Sequence, residues 1–148
     1  MVRRYLPAIQ GREPTDLYLI LVDDRPAGFI QTYLVSDHPD YQALVDVEEG
    51  VAGVDLFVAD PEQTGKGLGS TVIAQFVRDV VFVASQIHAC VADPDAENHA
   101  SIRAFEKAGF TRVRDFVDPS DDNRVHTLIR IERYGDSRST IQSPFERR

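Results

Sequence analysis

The stretch Gly53–Val77, GVDLFVADPEQTGKGLGSTVIAQFV, constrains the fold more than any other part of this chain. Its apolar run over 53–59 has the character of a buried strand and breaks at Asp60-Pro61. Gly65, Lys66, Gly67, Leu68, Gly69 and Ser70 follow, and then apolar residues at 73, 76, 77, 80, 81 and 84 keep helical spacing. A strand, a glycine loop and a helix in succession commit the chain to an α/β arrangement, because the helix must bury its apolar stripe on the sheet. The backbone N–H groups of 65–70 would converge at the positive end of that helix, where an anion is stabilised. Each hydrogen bond to a charged group contributes roughly 1.5–3 kcal/mol, so a few anchor a phosphate. A glycine-rich turn that only starts a helix is the plainer alternative.

Spacing sorts the carriers of such a phosphate. A triphosphate loop of the G-x-x-x-x-G-K-[ST] type requires glycine where Asp60 stands and a hydroxyl where Gly67 stands. A dinucleotide fingerprint, G-x-G-x-x-G, requires glycine at Ser70 and belongs at the start of a Rossmann half, not after three strands. Coenzyme A is the third common carrier, and its diphosphate meets neither objection.

The rest of the pattern gives a mixed α/β chain. Residues 2–10 read as the last turns of a helix ending near Gly11. Segments 16–23 and 27–35 read as two strands around the Asp-Asp-Arg-Pro turn, and 86–92 as another. Asn98 is a suitable N-cap for a helix over His99–Ala108, with Gly109 at its C-terminal end. Segments 110–117 and 124–132 make a final hairpin, and the polar tail from Tyr134 reads as loose. At 148 residues a single domain is expected over 1–133, with 134–148 as the tail. Antiparallel hairpins thus flank one β-α-β crossover.

A net charge of −8 argues against a nucleic-acid partner and favours cationic ones. Between Ser36 and Gly50 stand Asp37, Asp40, Asp46, Glu48 and Glu49 with no lysine or arginine, and this segment reads as an acidic loop. One cysteine, Cys90, excludes an internal disulfide and fits a cytoplasmic protein. The apolar run near 80–84 is too short to span a bilayer, so no membrane partner is expected. Histidines 38, 88, 99 and 126 show no metal-ligand spacing, and no metal is expected. His88 and Cys90 read as packing residues of one strand.

Downstream of the loop stands ENHASIRAFEKAGF (97–110), which resembles the segment Asn-x-x-(Ala)-x-x-x-Tyr-Glu-Lys-x-Gly-Phe of the GNAT N-acetyltransferases. The glycine loop resembles that family's acetyl-CoA pyrophosphate loop, at the family's separation. With ADPDAEN before the helix and an aspartate in the central strand, the chain looks most like the aminoglycoside 6′-N-acetyltransferase branch, over roughly residues 4–133. A branch acylating lysine or hydroxylysine side chains in siderophore assembly shares much of this pattern. The resemblance implies the GNAT fold without its first strand and helix, and a homodimer would cover the sheet face so exposed. A coenzyme-A-binding remnant with little activity is the reading in which that loss is decisive.

For the site, the resemblance implies acetyl transfer from acetyl-CoA to a cationic amine by direct attack. A free amine is only about 1% neutral or less at pH 7, so a carboxylate must hold the ammonium and take its proton. Asp55 and Asp93 are the implied catalytic carboxylates, and they also bind substrate with Asp40, Gln31 and Tyr33. The donor is implied to lie on the backbone of Phe57 and Val58, on residues 65–70, and on Asn98, Phe105 and Lys107. Helix capping alone would explain Asn98, and solvent exposure Lys107. Phe105 departs from the family's tyrosine, the usual proton source for the leaving thiolate. With a thiol pKa near about 8.5, water can serve instead, with slower turnover.

Overall fold

A computed structural model describes residues 2–4, 15–58 and 67–133 of the chain. The strands are β1 (Val2–Arg4), β2 (Asp16–Val22), β3 (Arg25–Leu34), β4 (Val51–Val58), β5 (Ala89–Ala92), β6 (Thr111–Asp118) and β7 (Arg124–Glu132). They form one sheet in the order β1-β2-β3-β4-β5-β7-β6. Every neighbouring pair is antiparallel except β4–β5, which is parallel. That exception follows from the glycine loop, since a parallel neighbour requires a crossover and the helix after the loop supplies it.

Among the described residues three α-helices, α1 (Pro39–Val45), α2 (Leu68–Phe76) and α3 (His99–Lys107), cover the sheet. Alternation along the strands divides the packing in two. On the α2–α3 face Ile30, Val54, Cys90 and Ile129 meet Ile73, Phe76 and Phe105, all nearly inaccessible. On the α1 face Val35, Val45, Val51, Val91, Phe116 and Leu128 form a second cluster. Gly69 lets α2 and α3 approach closely, because a β-carbon there would stand 3.3 Å from that of Ala104.

Several expectations are corrected. Val2–Arg4 is not the end of a helix but an edge strand, with Val2 opposite Ile20 and Arg4 opposite Tyr18. Three residues carry too little periodicity to choose a state, and the open edge of β2 decides it. Residues 5–11 of that expected helix lie outside the described residues. The acidic segment is not simply a loop. Pro39 stands in the first turn of α1, Tyr41, Leu44 and Val45 recur at helical spacing, and Asp46 closes the helix at φ +57°. The helix expected over 70–84 is interrupted, because α2 passes into a π turn over Val77–Val81. The strand expected over 86–92 begins only at Ala89, and His88 is a half-exposed residue bonded to the Glu49 carbonyl. Cys90 is in the core as expected. The tail 134–148 lies outside the described residues.

Arg133, just after β7, closes the π turn. Its guanidinium donates to the main-chain carbonyls of Phe82, Ala84 and Ile87 and lies 5.0 Å over the Phe82 ring. A cation at a helix C-terminus satisfies carbonyls that have no partner within the helix. Arg133→Ala is expected to lower stability by about 1.5–3 kcal/mol in urea unfolding, with Arg133→Lys in between.

Candidate active site

The parallel pair β4–β5 is short. Val51, Ala52 and Gly53 pair with Ala89, Cys90 and Val91, and there the ladder ends. β4 runs on to Val58, paired on its other side with β3, whereas the chain beyond β5 turns away through Asp93 and Pro94. Thr127 donates its N–H to the Pro94 carbonyl and Ala96 donates to Val125, so the chain from 94 to 96 follows β7 and leaves β4. Among the described residues, the edge of β4 past Gly53 therefore has no strand beside it on that side.

On the α2–α3 face this gap opens into a cavity of about 460 Å³. Leu56, Phe57 and Val58 form one wall, Gly67, Gly69 and Ser70 a second, and Asn98, Ser101, Ala104 and Lys107 a third. Gly67 precedes α2 at φ +83°, a conformation that suits glycine, and the N–H groups of Leu68, Gly69 and Ser70 open the helix without intrahelical acceptors. Asn98 Oδ1 accepts from the Ser101 N–H at 3.1 Å and so caps α3 at the rim of the same cavity. An open strand edge, a row of helix-start N–H groups and an amide fit a long carrier bearing amides and a diphosphate.

Of the residues expected to hold the donor, Phe57, Val58, Gly67, Gly69, Ser70, Asn98 and Lys107 line this cavity. Leu68 turns away and packs against the core. Phe105 is a core residue rather than a cavity residue, 2% exposed with its ring 5.0 Å from that of Phe110. It shares the buried face of α3 with Ile102, while Ser101, Ala104 and Lys107 share the cavity face. Gly65 and Lys66 lie outside the described residues.

The carboxylates stand on the other face. Asp55 follows Gly53, and Asp93 follows Val91, at the same offset beyond the last paired residues, so the two flank the gap on the α1 side. Gln31 lies opposite Asp55 and donates to its Oδ2 at 2.8 Å. Tyr33 lies opposite Gly53, where a β-carbon would come within 2.4 Å of its ring. Tyr41 of α1 donates to Asp93 Oδ1 at 2.7 Å, its ring 6.0 Å from that of Tyr33. Asp40 does not join this group through any described contact; it is exposed in the first turn of α1, beside Tyr41.

Burial and bonding act in opposite directions on these acids. Burial raises the Asp55 carboxyl above the usual carboxylate range, and the Gln31 amide only partly offsets it. Burial also pushes Asp93 up to about 6, with Tyr41 and His126 opposing and the Asp55 charge adding to the rise. Tyr33 and Tyr41 are raised, chiefly by burial, and remain phenols.

Two members of the group, Tyr41 and His126, carry no local sequence signal for the site. Tyr41 was concealed by the acidic composition of its segment, although its spacing to Leu44 and Val45 is the helical signal. His126 shows no metal-ligand spacing in the sequence. It enters the group through the β5–β7 pairing, which brings its Nδ1 within 2.7 Å of the Asp93 carbonyl and 3.1 Å of Asp93 Oδ2. Among the described residues, Asp93, Asp118 and His126, and likewise Asp95, Asp121 and His126, bring oxygen and nitrogen atoms within 4.8 Å of one another. No described helix is long and apolar enough to cross a membrane.

The sequence model of the acetyltransferase (GNAT) domain matches residues 1–117. The chain belongs to the GNAT acetyltransferases. Among GNAT relatives, it is 31% identical over 116 residues to an aminoglycoside N(6′)-acetyltransferase type 1 of Klebsiella pneumoniae, covering 78% of this chain and 57% of that protein. A kanamycin resistance protein of Rhizobium radiobacter is 36% identical over 74 residues, covering 50% of this chain and 68% of that one. The chain thus spans 57% of the length of the first of these relatives. In three dimensions it is similar to the aminoglycoside acetyltransferase AAC(6′)-Ib in complex with coenzyme A and kanamycin. That match has a TM-score of 0.77 at 27% identity and covers 93% of this chain and 77% of that one. The GNAT fold accounts for the mixed sheet and for the single parallel pair at its centre.

The raised Asp93 carboxyl has a consequence for stability. A carboxyl whose folded pKa lies above its unfolded value binds its proton more tightly in the fold, so stability falls as pH rises from about 4 through about 6. Asp93→Asn is therefore expected to be near neutral at pH 4 and stabilising at pH 7–8, by up to about 3 kcal/mol. Thermal unfolding across that pH range measures the difference.

Proposed function

We propose that the chain is an N-acetyltransferase that moves an acetyl group from acetyl-CoA to a primary amine of a cationic small molecule. The 6′-amine of an aminoglycoside is the acceptor the reading favours. One observation carries it: Asp55 and Asp93 flank the gap between β4 and β5 on one face, and the cavity of about 460 Å³ opens from it on the other. The names of the relatives, an aminoglycoside N(6′)-acetyltransferase and a kanamycin resistance protein, support the acceptor. A single buried thiol, Cys90, fits a cytoplasmic setting.

Phe57 and Val58 offer the open β4 edge to the amides of the pantetheine arm, and the start of α2 offers its N–H groups to the diphosphate. Acetyl-CoA supplies an activated acetyl group as a thioester. On the α1 face, Asp55 and Asp93 hold the acceptor's ammonium group, while Gln31 and Tyr41 fix the two carboxylates. With its carboxyl near 6, Asp93 is ionised at pH 7 yet basic enough to accept a proton, directly or through water. The amine nitrogen then bonds to the acetyl carbon, the carbon–sulfur bond breaks, and the thiolate departs. Phe105 offers no proton to it, so water is the donor.

Thiol release from acetyl-CoA in the presence of kanamycin, lysine or N-hydroxylysine tests the proposal. Turnover with kanamycin is expected, with kcat/KM reduced about 10²–10⁴-fold in Asp55→Asn and Asp93→Asn. Turnover on the lysine compounds alone would move the acceptor to the siderophore class. Coenzyme A binding without turnover on any amine would overturn the enzymatic reading.

A further inference from the structure

The acetyl-transfer reading does not use His126, which is only 12% exposed beneath Asp93. Its ring is held on both sides. At Nδ1 the Asp93 main-chain carbonyl lies at 2.7 Å and Asp93 Oδ2 at 3.1 Å. At Nε2, Asp121 Oδ2 lies at 2.8 Å and Asp118 Oδ2 at 3.9 Å. A carbonyl oxygen can only accept, so Nδ1 carries a hydrogen. The half-exposed Asp121 carboxylate accepts as well, so Nε2 carries the second. A ring that donates from both nitrogens is an imidazolium, and it has no lone pair left for a metal.

We infer that His126, fixed as an imidazolium between Asp93 and Asp121, is a positioning residue that aims the Asp93 carboxylate and keeps it ionised in its buried setting. The isolated bridge between Asp95 and His126 fixes the main chain at this point, and the Phe116 ring lies 5.8 Å from the imidazole. Tyr41 holds the other oxygen of Asp93, so His126 and Tyr41 fix the carboxylate from two elements, β7 and α1. The charged groups around the ring are Asp93, Asp95, Asp118 and Asp121, and Arg124 is bound to Asp95 at 2.7 Å. Asp55 acts on Asp93 from across the gap with the opposite effect. Burial disfavours the charged ring, but the bonds to Asp121 and Asp93 outweigh it and hold His126 above the usual histidine range. The cation thus sits on the inner side of Asp93, and the side facing the gap is left to a cationic substrate.

The consequence for turnover rests on the acetyl-transfer reading; the charge state of the ring does not. Nitrogen-15 and carbon-13 NMR on the full chain, with labelled histidine and aspartate, reads both groups without any substrate. At pH 7 both ring nitrogens of His126 are expected to be protonated. In His126→Asn, which keeps one donor but no charge, the Asp93 titration is expected to move upward by about one pH unit. In Asp121→Asn, which leaves the Asp93 contacts in place, the His126 titration is expected to move downward. Alongside, the acid limb of kcat/KM for kanamycin should shift upward in His126→Asn, so that activity falls several-fold more at pH 6 than at pH 8. A singly protonated His126 at pH 7 would overturn the inference without needing a variant. An unmoved Asp93 titration in folded His126→Asn would overturn it as well. Wild-type protein that shows the expected titrations but acetylates no amine would overturn the reaction instead, and leave the positioning of Asp93 standing.

Discussion

The structure depends on the loss of pairing between β4 and β5 beyond Gly53 and Val91. Two adjacent parallel strands normally satisfy each other's backbone along their length, so an early end to the ladder leaves N–H and C=O groups that must find other partners. Here β5 stops because the chain from Pro94 to Ala96 transfers its hydrogen bonds to β7. The open β4 edge lies between α2 and α3 on one face and beside two carboxylates on the other. A donor that pairs with that edge and an acceptor that pairs with the acids would meet through the sheet itself. Few other places in an α/β domain offer access to a central strand from both faces.

That opening works only if polar groups near it are held in place. Asp55 and Asp93 are buried enough to raise their proton affinity, and each is anchored by a neutral donor, Gln31 or Tyr41. Neutral donors orient a carboxylate without cancelling its charge, which leaves the charge to act on a cationic ligand. The countercharge is placed behind, at His126. The more exposed ion pairs, such as the bidentate Arg130–Glu48 contact, instead connect the loop after α1 to β7 and hold Glu48 at about 2.

The glycines show how local sequence and tertiary packing meet. Gly67 answers a backbone need that can be read from its loop, a positive φ before a helix. Gly53 answers a need that cannot. It makes room for the Tyr33 ring on the neighbouring strand, and nothing within its own segment announces that neighbour. The same contrast separates Asn98, whose capping role follows from the helix after it, from Phe105. The motif placed Phe105 at the donor site, but the buried face of α3 took it into the core.

What the sequence determined by itself was whatever depends on neighbours close along the chain. The strand–glycine loop–helix unit, the cap at Asn98, the parity that sets Asp55 apart from Val54 and Leu56, and the final hairpin all arise from contacts within a few residues. The short β1, the helix within the acidic segment and the meeting of Tyr41, Asp93 and His126 were decided by the tertiary structure. Tyr41 and Asp93 are 52 residues apart, and Asp93 and His126 are 33 apart. Such encounters depend on strand order and register, which no local pattern specifies. Strand order also set the charge of His126, because a histidine's protonation follows from the acceptors that packing brings to its two nitrogens.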